Sequence, residues 1–436
     1  MREKIRRLLK IIGPGVVTGA ADDDPSGIAT YSQTGAQFGY AQLWSVPIML
    51  PMMAAIQEVC GRIGMVTGKG IAGVIREHYP KRMLFAVVGL IVLANIINLG
   101  TDLCAMVAAM ELLIPLPHLL LVIFFAILSL TLQVVISYRV YRSLLKWMSG
   151  FLLAYVLTGF IVCRDWPQVI RATFVPQVQL SFEFLMILVG VLGTTISPYM
   201  FFWQASQEVE EEIENGELCP PEEVRRLRCG PLPVIRTDDI RNMRLDTWSG
   251  MFFSQVAAWF IIVTTAGTLH AAGITTIPTA ADAARALEPL VRTFPHSGEI
   301  AKIIFALGII GLGLLAVPIF AGAASYALSE TFGWDVGLAR RLHQAPYFYA
   351  VISAATLLGM AVNCAGINPI KALIYTAVIN GVVAVPLIYV ILRIGGNPRI
   401  MGEHVTGKCT HCIGWFTFAV MGLAAVAMFL AWIRPV

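Results

Sequence analysis

The sequence predicts an all-α integral membrane protein with about 11 transmembrane helices in a single polytopic domain, residues 1–436. Of the 436 residues, 57% are hydrophobic and 13% are charged, whereas soluble domains carry roughly 25% charged residues. Mean hydropathy is +0.74. Apolar runs recur along the chain, each near the roughly 20 residues that cross a bilayer. They lie near 11–36, 44–66, 83–112, 117–137, 146–163, 183–204, 248–270, 299–328, 347–365, 370–393 and 412–433.

Helix-breaking residues interrupt the first and sixth of these runs. The first contains Asp24-Pro25-Ser26-Gly27, and the sixth contains Gly193 and Pro198. Proline removes a backbone donor, and a carboxylate in hydrocarbon is costly unless it faces protein, water or a substrate. Breaks at these two places are typical of two five-helix repeats that hold a cation between their unwound segments. We therefore predict repeats at about 11–163 and 183–393, with an extra helix at about 412–433.

The basic residues predict the orientation. They collect at the N-terminus and in the loops after the second, fourth, eighth and tenth runs, all of which share one side. The positive-inside bias makes that side cytoplasmic and places Val436 outside. The polar loop 205–247 falls on the same side, and we interpret it as a solvated connector. The basic residues are Arg2, Lys4, Arg6, Arg7, Lys10, Lys69, Arg76, Lys81, Arg82, Arg139, Arg142, Lys146, Arg340, Arg341, Arg393, Arg399 and Lys408.

Several classes of function are disfavoured by the sequence. There is no basic, aromatic-rich surface for nucleic acid, and no His-Glu-x-x-His or Gly-x-Ser-x-Gly motif of a hydrolytic enzyme. The basic N-terminus lacks a small-residue cleavage site, so we do not expect a signal peptide. Cys409 and Cys412, with His404 and His411 nearby, have residue types that bind zinc, although reduced thiols are the simpler interpretation. We expect a monomer in the lipid bilayer with no cofactor.

Four segments of the chain resemble motifs of one transporter family, in the family's order. The segments are 13–39 with its Asp24-Pro25-Ser26-Gly27 motif, 57–68, 193–199 and 380–388. On these residues the chain resembles the NRAMP family of divalent-metal transporters, and in particular its divergent, magnesium-transporting branch. The resemblance implies a LeuT-type inverted 5+5 repeat with broken helices 1 and 6, alternating access and divalent cations as substrates.

The departures from the family pattern bear on the substrate. Gly27 stands where the family has a metal-binding asparagine, Ser197 where it has a methionine, and Tyr199 where it has a histidine. Ala105 replaces an acid of the family's proton route. Losing the soft sulfur removes discrimination against hard ions such as Mg²⁺. Losing the histidine and the acid predicts transport without proton coupling.

These departures predict a wide site for Mg²⁺, and also Mn²⁺, that keeps most of its water. We expect the cation to meet Asp24, Gly27, Thr194 and Ser197. A second set is expected nearby or along the ion path: Ser26, Asp102, Thr195, Tyr199 and Asn380. For Asn380, a hydrogen bond between helices is the alternative.

Two other functions use the same scaffold. One is a proton-coupled importer of Mn²⁺ and Fe²⁺ of the ordinary NRAMP type. The other is a Na⁺-coupled symporter of organic solutes, which Asp24 disfavours because it would repel an anionic group. For the predicted transporter we expect the bacterial inner (plasma) membrane.

Overall fold

The computed structural model describes residue 19 and residues 22–135, 152–216, 218, 235, 237–362 and 368–433. Across these residues the regular structure is entirely helical, so the predicted all-α class is confirmed. The first part of the chain contains six helices within the described ranges. They are α1 (Pro25–Phe38), α2 (Ser45–Thr67), α3 (Ile71–His78), α4 (Lys81–Glu111), α5 (His118–Val135) and α6 (Leu153–Val162).

The second part begins with a short helix outside the predicted spans, α7 (Trp166–Phe174). The sixth predicted span is divided into two helices, α8 (Phe182–Thr195) and α9 (Pro198–Asn215). The described helices that follow are α10 (Thr237–Thr268), α11 (Ala280–Ala284), α12 (Ser297–Phe332), α13 (Pro346–Val362), α14 (Pro369–Gly395), α15 (Pro398–Met401) and α16 (Lys408–Ile433).

Helix lengths agree with a membrane protein. In the described ranges, 7 helices are long and apolar enough to cross a bilayer, the pair α8 and α9 counting as one, and α5, α6 and α13 are shorter apolar helices. The predicted spans 11–36, 117–137, 146–163 and 347–365 lie partly outside the described residues. The division into repeats at 11–163 and 183–393 stays a prediction.

The polar loop is shorter than predicted. We expected a connector over 205–247, but α9 continues to Asn215 and α10 already begins at Thr237. Gly216 ends α9 in the left-handed conformation, with φ 76°, which glycine adopts without steric cost. The helices extend beyond the apolar runs because one face of each polar end is still buried, as at Glu212 and Asp246.

The two broken helices pack closely against α10 and α14. A Cβ added at Gly35 of α1 would lie 2.0 Å from the Thr265 hydroxyl oxygen of α10. A Cβ added at Gly193 of α8 would lie 2.1 Å from the backbone carbonyl oxygen of Ala377 and 2.2 Å from the amide nitrogen of Gly381, both in α14. Only glycine permits such close backbone contact. These contacts hold both broken helices close to their neighbours.

Candidate functional site

The first break lies at Asp24. The backbone is helical at Gly19 and Asp22, extended at Asp24 with φ −66° and ψ 172°, and helical again from Pro25. The Asp24 carboxylate caps α1, because its Oδ1 accepts from the Gly27 amide at 2.7 Å and from the Ser26 hydroxyl at 2.8 Å. Proline suits the first turn because a donor there has no helical partner. The predicted break is confirmed.

The second break lies between α8 and α9. Ile196 has φ −105° and ψ 63°, and Ser197 is extended with φ −81° and ψ 132°. The Ser197 hydroxyl donates to the carbonyl oxygens of Gly193 at 2.9 Å and Thr194 at 2.5 Å. Carbonyls at a helix end lack a partner in the helix and need one when they are buried. Ser197 therefore stabilises the unwound end of α8.

The two breaks touch. The hydroxyl oxygens of Ser26 and Thr194 lie 3.2 Å apart, and Thr194 also hydrogen-bonds the Asp24 carboxylate. A Cβ added at Gly27 would lie 3.3 Å from the Thr194 hydroxyl and 3.4 Å from Asp24 Oδ1. The structure thus brings together three of the four residues expected to meet the cation, Asp24, Gly27 and Thr194, with Ser26 from the second expected set.

The expected wide and watered pocket at this place is not seen. Asp24 is only 1% exposed, and Ser26 and Thr194 are equally buried. Gly27 does not leave open space, because the hydroxyls of Ser26 and Thr194 close against each other and against the carboxylate. This conformation is occluded around Asp24. An ion that reaches the carboxylate has to separate α1 from α8.

Three of the predicted neighbours contact other groups. The Thr195 hydroxyl hydrogen-bonds the Tyr31 hydroxyl at 2.7 Å. The Tyr199 ring packs edge-on against Phe320, with centroids 4.4 Å apart. Asn380 exchanges two hydrogen bonds with Asn98 of α4, at 2.8 and 2.9 Å. The alternative of a hydrogen bond between helices therefore applies to Asn380.

Asp102 is a buried acid close to the first break. It is fully buried in α4 and lies near enough to Asp24 for their charges to interact. Among the described residues neither carboxylate oxygen of Asp102 has a hydrogen-bond partner. An isolated buried carboxylate is unfavourable unless a proton or a cation neutralises it. The predicted place of Asp102 near the ion path agrees with this geometry.

Two further acids and one serine lie at the first break outside the predicted site. Asp22 and Asp23 are buried, with 0% and 1% exposed. The Ser254 hydroxyl of α10 donates to Asp22 Oδ2 at 2.6 Å and lies 3.4 Å from Asp23 Oδ1. Within the described part of the chain, no ion pair joins these acids to a basic side chain. The available signal was the adjacent pair Ser254 and Gln255 inside an otherwise apolar run.

The donor set at the breaks consists of oxygen atoms. The groups are carboxylates and hydroxyls, and the described residues contain no cluster of three or more His, Cys, Asp or Glu side chains placed to hold a metal ion. Cys409 and Cys412 are exposed free thiols.

Comparisons with known proteins agree with this architecture. Residues 15–431 match the Nramp family model, described as natural resistance-associated macrophage protein-like. The chain is 27% identical over 450 residues to "Divalent metal cation transporter MntH" of Ralstonia nicotianae, covering 98% of this chain and 91% of that one. It is 25% identical over 432 residues to the protein of the same name from Bacillus subtilis, covering 98% and 92%.

Solved structures share the fold. The Eremococcus coleocola manganese transporter superposes with a TM-score of 0.72 at 17% identity, covering 99% of this chain and 88% of that one. MhsT in complex with L-phenylalanine superposes with a TM-score of 0.62 at 10% identity, covering 96% and 98%. The predicted LeuT-type fold is confirmed. Because the family model matches nearly the whole chain, this protein belongs to the Nramp family and is an integral membrane transporter, not an enzyme.

Proposed function

We propose that this protein moves divalent metal cations by alternating access, with Mg²⁺ as its main ion and Mn²⁺ as a second. One observation supports the choice of Mg²⁺ as the main ion. The hydrogen-bonded groups where the two breaks meet are the carboxylate of Asp24 and the hydroxyls of Ser26 and Thr194, with no sulfur among them. Ser197, in the place of the family's methionine, adds another hydroxyl at the second break.

Hard oxygen donors favour Mg²⁺ over the softer transition metals. Thioether and thiolate ligands select soft ions, whereas carboxylate, carbonyl and water oxygens suit Mg²⁺, Ca²⁺ and Mn²⁺. Mg²⁺ dehydrates reluctantly and is usually held by one or two carboxylates while it keeps several waters. We propose that Asp24 contacts the ion or its water, and that Ser26, Thr194 and Ser197 contact the remaining water shell.

The energy source we propose is the membrane potential. Tyr199 and Ala105 occupy the positions where family members have titratable groups, and Tyr199 is packed against Phe320. Neither side chain exchanges protons near neutral pH. An inside-negative potential contributes about 2.3 kcal/mol per charge per 100 mV, which is enough to drive uptake of a divalent ion without protons.

A second candidate is a proton-coupled Mn²⁺ importer. Two observations favour it: the relatives named above are divalent metal or manganese transporters, and Asp22, Asp23 and Asp102 are buried acids that could carry protons. The two candidates differ in the ion preferred and in whether protons move with it.

Uptake into proteoliposomes tests both candidates. The purified protein is reconstituted, a dye reports internal pH, and Mg²⁺ and Mn²⁺ are supplied separately and in competition. We expect both ions to enter, uptake to rise with an inside-negative potential, and internal pH to stay constant. Exclusion of Mg²⁺ together with Mn²⁺-dependent acidification would establish the second candidate instead.

Two variants locate the ion in this assay. Asp24→Asn keeps the size of the side chain and removes its charge, so we expect loss of Mg²⁺ uptake. Glu299→Gln is the matched control, because Glu299 is an exposed acid of α12 with 75% of its side chain accessible. Uptake by Asp24→Asn equal to that of Glu299→Gln would exclude the role of Asp24.

We further propose that the protein lies in the bacterial inner membrane as a monomer, with its N-terminus in the cytoplasm and Val436 outside. Support comes from the basic residues on one predicted side and from the bacterial relatives. Labelling of single cysteines introduced at exposed positions such as Lys81 and Phe294 tests the orientation. The proposal requires that only Phe294→Cys be labelled from outside.

A further inference from the structure

Two exposed thiols lie in the first turns of α16. The helix begins at Lys408, and Cys409 and Cys412 are free and exposed. Residues three apart on a helix are neighbours, with Cβ atoms about 5–6 Å apart. The Cβ atoms of a disulfide are about 3.5–4.5 Å apart, so the first turn of α16 has to tighten before a bond can form between these two thiols. The residues before Lys408 are non-helical, and Gly407 has no neighbour within 4 Å of an added Cβ, so the turn has room to adjust.

Thr410, one of the two residues between these thiols, belongs to an ionic cluster around the buried carboxylate of Glu58. Glu58 of α2 is fully buried and accepts from Arg62 at 3.0 Å and from Arg244 of α10 at 2.8 and 2.9 Å. The indole nitrogen of Trp248 lies 3.3 Å from the same carboxylate. We name these four residues, with Thr410, the Glu58 cluster. It joins α2, α10 and α16.

Thr410 connects the thiols to the Glu58 cluster. Its hydroxyl oxygen lies 3.4 and 3.5 Å from the two carboxylate oxygens of Glu58 and 3.3 Å from the Arg244 guanidinium. Thr410 is buried, although its neighbours Cys409 and Cys412 are exposed. A displacement of Thr410 would therefore change the surroundings of Glu58 and Arg244.

We propose that Cys409 and Cys412 form a reversible thiol-disulfide switch that controls the rate of transport through the Glu58 cluster. The reduced pair keeps Thr410 against Glu58 and Arg244. The disulfide tightens the first turn of α16 and withdraws the Thr410 hydroxyl. Because α2 and α10 pack against the two broken helices, a weaker Glu58 cluster makes the occluded arrangement around Asp24 less stable.

The chemistry is exchange with a small disulfide such as oxidised glutathione. The Cys409 thiolate attacks one sulfur of that disulfide and releases one small thiolate, leaving a mixed disulfide on Cys409. The Cys412 thiolate then attacks the Cys409 sulfur and releases the second small thiolate. Two protein thiols are oxidised to one disulfide, one small disulfide is reduced to two thiols, and the two protein protons end on those thiols.

The test uses the full-length protein with Cys219→Ser, Cys229→Ser and Cys364→Ser, since these three cysteines lie outside the described residues. After treatment with oxidised glutathione, peptide mass spectrometry should find Cys409 linked to Cys412. Initial uptake of whichever divalent ion enters the proteoliposomes should fall about three- to tenfold, the size expected for one lost hydrogen bond. A small-molecule dithiol should restore it. Uptake by the Cys409→Ser/Cys412→Ser variant should not change with either treatment.

Thr410→Val separates the switch from a passive disulfide. It removes the hydroxyl and keeps the thiols, so the disulfide should still form while uptake is already slow and no longer responds to oxidation. A linked peptide with unchanged uptake would overturn the proposed control of transport. Failure of the two cysteines to link would overturn the switch itself, whichever ion is transported. The peptide measurement does not depend on which ion is transported. The proposed switch and the proposed ion can therefore fail separately.

Discussion

The hydroxyl oxygens of Ser26 and Thr194 lie 3.2 Å apart although 168 positions separate these residues in the chain. Each hydroxyl belongs to a different broken helix, and both hydrogen-bond the carboxylate of Asp24. In the proposed binding mode, a cation at Asp24 replaces some of these contacts. Cation binding and opening of the occluded arrangement would then be coupled at the contact between Ser26 and Thr194.

Removing the Thr194 hydroxyl should weaken the ion site. We expect Thr194→Val to raise the KM for Mg²⁺ about two- to tenfold, because one hydroxyl contact contributes about 0.5–1.5 kcal/mol. Thr376→Val is the matched control, since the Thr376 hydroxyl is equally buried but bonds only the Ala372 carbonyl of its own helix. Equal KM values for the two variants would contradict a role for Thr194.

Restoring a sulfur atom should change the ion preference. We expect Ser197→Met to raise the ratio of Mn²⁺ to Mg²⁺ uptake by about tenfold, equivalent to about 1.4 kcal/mol, because a thioether favours softer ions. Ser197→Ala distinguishes this gain from loss of the hydroxyl that caps Gly193 and Thr194. Competition uptake with both ions is the measurement. The same ratio in both variants would show that sulfur at this position does not select the ion.

The close contact of α8 with α14 predicts an intolerant glycine. Gly193→Ala places a Cβ 2.1 Å from the Ala377 carbonyl oxygen, and overpacking of this kind typically costs about 1–3 kcal/mol. Gly89→Ala is the control, because nothing lies within 4 Å of an added Cβ there. Thermal unfolding in detergent should show a lower midpoint for Gly193→Ala and no loss for Gly89→Ala. Equal midpoints would contradict the close packing.

Two ion pairs should differ in their effect on stability. Glu58→Gln leaves Arg62 and Arg244 facing a neutral group. Breaking a buried ion pair lowers the free energy of unfolding by about 3–5 kcal/mol. The loss expected here is smaller, because 47% of the Arg244 side chain is exposed. Glu77→Gln breaks the exposed pair with Lys69, where the expected cost is below about 1 kcal/mol. Unfolding midpoints in detergent compare them. A larger loss for Glu77→Gln would refute the importance of the Glu58 cluster.

The breaks were predictable because their cause is local. Pro25 and Pro198 lack the amide hydrogen that a continuous helix needs, and Asp24 and Ser197 are residue types that cap a new helix. The placement of Asp24, Gly27 and Thr194 in an ion site came from the family resemblance, and it stays a prediction. The all-helical class likewise followed from long apolar runs.

Partners across the molecule were not predictable. Nothing near Asp22 in the chain points to Ser254, and nothing near Thr195 points to Tyr31, because these contacts depend on how distant helices pack. Asn380 was ambiguous, since an amide in a membrane helix can face either an ion or another amide. The occluded state around Asp24 was missed because residue types do not specify a conformation.

One oxygen atom of the capping carboxylate has a consequence for release of the cargo. Asp24 Oδ1 already accepts from the Ser26 hydroxyl and the Gly27 amide. In the proposed transport cycle, a cation that binds this oxygen displaces these two donors, which return when the cation leaves. The donors would therefore compete with the cation, which would keep its affinity modest and its release on the far side of the membrane fast.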